Sequence, residues 1–140
     1  MGFDCAIFMT NEKTNPNLFY FTKYKGAGFL VIPSEGKALL HVPSRDLSEA
    51  KIVNGVVVSS GRKLSESLLE FKINSKKVGI DFVNTSVTDF NMLKKRFDCE
   101  FFDISVFMDE LRAVKDKDEI KKMREACKIT DKILNQFVDN

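Results

Sequence analysis

Few side chains in this 140-residue chain could do chemistry. His41 is the single histidine, and it stands inside the apolar run Leu39-Leu40-His41-Val42, where a histidine serves sheet packing more readily than metal ligation. A protein metal site needs several His, Cys, Asp or Glu side chains that converge. Here the carboxylates gather at helix caps and on helix surfaces, and no spacing favours a catalytic pair. Cys5, Cys99 and Cys127 are odd in number and far apart, with no Cys-x-x-Cys pair. That argues against a disulfide framework or a zinc knuckle and for reduced thiols in an intracellular protein. No Gly-x-Ser-x-Gly elbow offers an activated serine. Ser59-Ser60-Gly61-Arg62-Lys63 follows a strand-like run and precedes a helix-like one, so its backbone N–H groups and two cations could receive an anion. It lacks the spacing of a P-loop or a dinucleotide fingerprint and reads first as an ordinary turn. Gly26-Ala27-Gly28, between two strands, is weaker still. The aromatic run Leu18–Thr22 has Lys23 and Lys25 beside it but reads as packing rather than as a base-stacking platform.

Composition narrows the class further. Hydrophobic residues make up 44% and charged residues 30%, with 22 Lys+Arg against 20 Asp+Glu and a net charge of +2. So even a balance predicts neither a nucleic-acid footprint nor a polybasic membrane anchor. The longest apolar runs, Phe29–Ile32 and Val56–Val58, fall far short of the roughly 20 residues that span a bilayer. Met1-Gly2-Phe3-Asp4 opens straight into a strand-like run with no leader pattern, and Ala6 stands where a myristoylation motif wants Ser or Thr. The expectation is one cytoplasmic α/β domain.

The elements that must position these residues follow from spacing. Phe3–Met9 predicts a buried strand, and Thr10–Asn17 a loop in which Pro16 bars a helix. Leu18–Thr22 predicts a second short strand. Phe29–Ile32 and Lys37–Val42 predict an antiparallel hairpin, because Ser34-Glu35-Gly36 is too short for a crossover. Ser44 is the expected N-cap of a short helix through Lys51. Val56–Val58, Lys76–Asp81 and Glu100–Phe102 read as strands; Leu64–Phe71 and Thr88–Phe97 carry helical apolar spacing. This alternation predicts parallel, crossover-linked strands in the second half. Ser105–Leu111 closes the domain. A long helix then runs from about Lys117 to Val138, with Asp116, Asp118 and Glu119 at its dipole-favoured start.

These residues, taken in order, resemble a known family. Asn17-Leu18-Phe19-Tyr20-Phe21-Thr22 is similar to the Asn-x-x-Tyr-[Leu/Phe]-[Thr/Ser]-Gly signature of the Xaa-Pro peptidases, the creatinase, prolidase and aminopeptidase P family. Lys23 stands where that signature usually has Gly. Val78-Gly79-Ile80-Asp81 resembles the family's Gly-[Ile/Val]-[Glu/Asp] strand. Leu111-Arg112-Ala113-Val114-Lys115-Asp116-Lys117-Asp118-Glu119-Ile120 is similar to its Leu-Arg-x-[Ile/Val]-Lys-[Ser/Thr]-x-[Asp/Glu]-Glu-Ile, and Ala126–Asp131 continues the likeness. The pattern most resembles archaeal-type prolidases, without the leading helix common in the family.

The resemblance implies a three-layer α/β/α domain with a mixed sheet over 1–111, followed by a linker and helix over 112–140 that lead to a catalytic domain beyond this chain. In the family two Asp, one His and two Glu of that following domain hold two divalent metals, Mn or Co, whose activated water attacks the bond before proline. The resemblance therefore implies no catalytic and no metal-ligating residue here. It implies a part in dimerisation and in walling the active-site entrance, for which Tyr20, Thr22, Lys23 and His41 are the candidates, and linker anchoring by Arg112 and Lys115. The expected partners are the catalytic domain of the same polypeptide or a second copy, with no nucleic acid and no membrane. The alternative is a free-standing α/β binding or protein-interaction module without peptidase activity, using the Ser59–Lys63 turn or the apolar stripe of the last helix.

Overall fold

The computed structural model describes residues 2–10, 15–61, 66 and 76–138. Its centre is β1 (Cys5–Thr10), whose alternating side chains supply both faces of a sheet. Antiparallel to it runs β2 (Gly28–Pro33), with Ile7 opposite Val31; parallel to it on the other side runs β5 (Lys77–Ile80), with Ile7 opposite Ile80. The hairpin of β2 with β3 (Ala38–Val42) forms as expected, Leu30 facing Leu40. Parallel additions of β4 (Val56–Ser60) to β3 and of β6 (Glu100–Asp103) to β5 complete a mixed sheet in the order β4-β3-β2-β1-β5-β6.

Period two sorts the core into two layers. Cys5, Ile7, Met9, Val31, Leu39 and Ile80 point to one face, where α3 (Val87–Arg96) covers them through Leu93. Phe8, Leu30, Leu40 and Val42 point to the other, against Leu18 of α1 (Pro16–Thr22), Ala50 of α2 (Leu47–Ala50) and Met108 of α4 (Ser105–Ala113). The result is the three-layer α/β/α arrangement.

Two local expectations are corrected. The aromatic run Leu18–Thr22 is helical, and Pro16, far from barring a helix, occupies its first turn, where a missing N–H costs nothing. Asn15 caps that helix: its Oδ1 accepts from Asn17 N at 2.9 Å and Leu18 N at 3.2 Å. Ser44 makes no capping bond; Ser44–Asp46 is a 3₁₀ turn that leads into α2. The Leu64–Phe71 helix and the cations Arg62 and Lys63 lie outside the described residues.

The chain divides into two compact units, Met1–Met108 and Asp109–Asn140. Within the second, α5 (Lys117–Val138) opens on a reciprocal capping box. Asp116 Oδ1 accepts from Glu119 N at 2.7 Å, and Glu119 Oε2 accepts from Asp116 N at 3.1 Å. Met123, Ile133, Leu134 and Phe137 on α5 are exposed.

Candidate functional site

At the C-terminal end of α1 the chain turns on Lys23, which takes the left-handed conformation (φ 57°, ψ 8°) and donates its N–H to Phe19 O at 2.7 Å. Among the described residues it is the only non-glycine with positive φ. The signature position that usually holds Gly is thus a helix C-cap, and Lys23 adopts the glycine conformation. Buried Thr22 closes the same turn, its Oγ1 donating to Leu18 O (2.7 Å) and accepting from Tyr24 N (3.1 Å). Thr22 thus closes the C-terminal end of α1. Lys23 Nζ lies 5.3 Å from the Tyr20 ring centroid and 5.7 Å from that of Phe19, and Lys25 Nζ lies 5.8 Å from Phe19. Beside this turn a cavity of about 360 Å³ opens between α1 and α2, lined by Phe21, Lys23, Glu49, Ile52, Val53 and Asn54 among others. Tyr24, also on its wall, has its phenol pushed up by burial, with Asp46 and Glu49 adding to the effect.

His41 is not part of this group. Its neighbours Leu40 and Val42 face α1, so period two turns His41 to the α3 side, with Leu39. The sheet lies between His41 and the Tyr20–Lys23 turn. There Nδ1 sits 2.9 Å from Ser59 Oγ, and the ring borders a second cavity of about 250 Å³ with Met9, Phe29 and Met92. Burial holds its basicity below the usual imidazole range. Arg112 meets the Asp109 carboxylate at 2.7 Å, and Lys115 Nζ donates to the Arg112 carbonyl.

Sequence reasoning missed the most connected polar group. Asp81, just past β5, is buried and accepts from Asn84 Nδ2 (2.6 Å), Val83 N (3.1 Å), Ser105 Oγ (3.0 Å), Asn84 N (3.3 Å) and Asn17 Nδ2. Ser105 also donates to Asp103. The available signal was that Asn17 and Asp81 each belong to a motif resembling the family's. Donors fill the lone pairs of Asp81 and leave it none for a metal ion. No group of three or more His, Cys, Asp or Glu able to hold a metal ion occurs among the described residues. Burial pushes the Cys99 thiol up to about 11, away from the thiolate form.

Comparison with known proteins places this fold in a family. Residues 2–114 match the Creatinase/Prolidase N-terminal domain. The chain is 30% identical over 125 residues to the Xaa-Pro dipeptidase of Pyrococcus furiosus, a match covering 88% of this chain and 35% of the relative. It superposes on the recombinant prolidase of Thermococcus sibiricus with a TM-score of 0.74 and 29% identity, covering 99% of this chain and 40% of that one. The creatinase/prolidase N-terminal domain of an X-Pro dipeptidase from Streptococcus pyogenes shares the fold, with a TM-score of 0.63 and 18% identity over 77% of this chain and 87% of that one. The chain thus spans roughly a third of the length of the curated relative and two-fifths of the longer solved chain. It belongs to the creatinase/prolidase N-terminal domain family.

Proposed function

We propose that this chain is the non-catalytic N-terminal part of a cytoplasmic Xaa-Pro peptidase of prolidase type, and that it serves assembly into a homodimer and walling of the active-site entrance. The observation that carries the reading is where the family match stops. It ends at residue 114, while α5 begins at Lys117 and is included in the 99% overlap with the longer archaeal prolidase. Residues 112–140 therefore read as linker and leading helix of a following catalytic domain, which covers the apolar residues of α5. Arg112 and Lys115 stiffen that linker through the carboxylate and carbonyl they hold. When bound in that domain, a pair of divalent ions, Mn or Co, would supply the activated water. This chain's share is the rigid α1 turn of Tyr20, Thr22 and Lys23 on one side of the sheet and His41 on the other.

The test has two arms. The 140-residue chain with added Mn²⁺ or Co²⁺ is assayed against Xaa-Pro dipeptides, and no turnover above a metal-only blank is expected. The coding sequence beyond Asn140 is then read and expressed with it, and a longer protein that hydrolyses those dipeptides is expected. Turnover by the short chain, or a stop codon after Asn140, overturns the reading.

A further inference from the structure

The turn that joins α2 to β4 carries Asn54-Gly55, the one Asn-Gly pair in the sequence. Both residues are exposed, and Gly55 has a φ of +81°, which glycine adopts without steric cost. Open space surrounds it: a Cβ built there meets nothing within 4 Å. The main-chain bonds of the α2 exit end with Val53 N donating to Ala50 O at 3.0 Å, and the pairing of β4 with β3 begins at Val56. Between the two, among the described residues, no hydrogen bond holds the Asn54 side chain or the Gly55 N–H. A side-chain amide, an unhindered main-chain nitrogen next to it and room for both to move are what cyclisation to a succinimide requires.

The other described asparagines are each held out of that reaction. Asn15 precedes Pro16, which has no N–H, and its amide donates to Met9 O at 3.0 Å. Asn17 and Asn84 donate theirs to Asp81. Asn91 and Asn135 lie within α3 and α5, where the N–H of the following residue is committed to the helix.

We propose that Asn54-Gly55 is a self-modifying site, at which the chain converts an amide into a carboxylate without an enzyme. The Gly55 nitrogen, giving up its proton to solvent, attacks Asn54 Cγ; the Cγ–Nδ2 bond breaks and ammonia leaves with a proton from water. Water then opens the resulting ring. Opening at Cγ gives aspartate, whereas opening at the main-chain carbonyl gives isoaspartate, whose main chain runs through Cβ and Cγ. Either product adds a negative charge to the wall of the α1–α2 cavity, which Asn54 lines together with Glu49. Isoaspartate also inserts an extra main-chain atom just before Val56, where β4 takes up its register with Ala38. None of this depends on the reading of the chain as part of a peptidase.

The experiment incubates the folded 140-residue chain at neutral and at alkaline pH, beside a free peptide spanning residues 52–57. Isoaspartate is counted by methyl transfer from S-adenosylmethionine with an isoaspartyl methyltransferase, and located by fragmentation mass spectrometry. Expected is isoaspartate at position 54 alone among the described asparagines, forming within about tenfold of the peptide's rate and faster at the higher pH. Asn54→Gln should form none over the same period, because its longer side chain closes a larger ring. A slower rate in the folded chain overturns the proposal, since the turn would then be withheld from reaction; conversion through global unfolding alone would lag by about 10³-fold or more. Isoaspartate spread over Asn15, Asn17 and Asn84 as well as Asn54 overturns it too.

Discussion

Asn17 in the first turn of α1 donates its side-chain amide to the buried carboxylate of Asp81, 64 residues further along the chain. One bond thus joins two of the motifs by which the chain resembles its family, and it fixes the start of α1 to the end of β5. Asn17 Oδ1 is buried with no partner among the described residues, so the residue is retained for its donor and not for its acceptor. Removing Asp81 would take an acceptor from five donors, of which only Ser105 Oγ and Val83 N have a second contact, whereas removing Asn17 would leave four of those five bonds in place. Asp81→Ala is expected to cost about 4 kcal/mol and Asn17→Ala about 1–2 kcal/mol in urea unfolding. Equal costs would mean that the carboxylate is not the hub.

Lys23 bears the strain of a left-handed C-cap. Lys23→Gly is expected to raise stability by about 1 kcal/mol, since a Cβ is disfavoured there. Lys23→Val should lower it, because branching at Cβ aggravates the same clash. Thermal melting of both variants checks the order Gly above Lys above Val.

Asp4 ties the edge of the β5 ladder to β1: its Oδ2 accepts from Lys77 N at 2.8 Å and Lys76 N at 2.7 Å. Those backbone donors, Lys77's first, hold its carboxyl below the usual range; the Ser105 hydroxyl and then its N–H do the same for Asp103. Both groups therefore have a lower pKa folded than unfolded. The stability they contribute is fully present above the unfolded value of about 3.9 and is lost as pH falls through the folded one. Asp4→Asn should lower stability at pH 7 and flatten the acid limb of a stability-versus-pH curve, the variant and the parent converging below about pH 4.

His41 moves the other way in charge but the same way in pH. Its folded form resists protonation through burial, so the unfolded chain binds the proton first, near pH 6.5. Stability should decline as pH drops below that value, and His41→Phe should remove that decline. Because the chain has one histidine, its imidazole proton signal reads the titration directly, and a midpoint at or above 6.5 would contradict the burial argument.

Gly26 lies under a ring. A Cβ there would stand 2.2 Å from Tyr24 Oη and 2.5 Å from Cζ, so the ring must leave its place and its 3.3 Å hydrogen bond to Ala27 O. Gly26→Ala should cost about 2 kcal/mol, and Tyr24→Phe with Gly26→Ala should recover part of it by removing the closest atom.

Much of the sheet was legible because its apolar runs are short, bounded and too crowded to be anything else. Phe29–Ile32 with Lys37–Val42 needed only the brevity of Ser34-Glu35-Gly36 to become a hairpin. The α1 segment misled because Phe19, Tyr20 and Phe21 carry strand propensity while its helix signals sit outside the run, in Asn15 as cap and Pro16 in the first turn. The opposition of His41 to the Tyr20–Lys23 turn was in principle readable, since Leu40 and Val42 had to share one face. The Asp81 hub was not: five donors from four separate residues meet there only after α1, β5 and α4 are assembled, and nothing in local spacing encodes that meeting.

The placement of β1 has a consequence for how the chain is made. This strand leaves the ribosome before either of its partners, yet it pairs on one side with β2, which follows soon after, and on the other with β5, where Cys5 meets Val78. The nascent meander of β1, β2 and β3 must wait with one flank of its oldest strand open until most of the domain has been translated. Slowing synthesis between the two halves should therefore lengthen the interval in which that flank can recruit a neighbouring polypeptide, and hastening it should shorten the exposure.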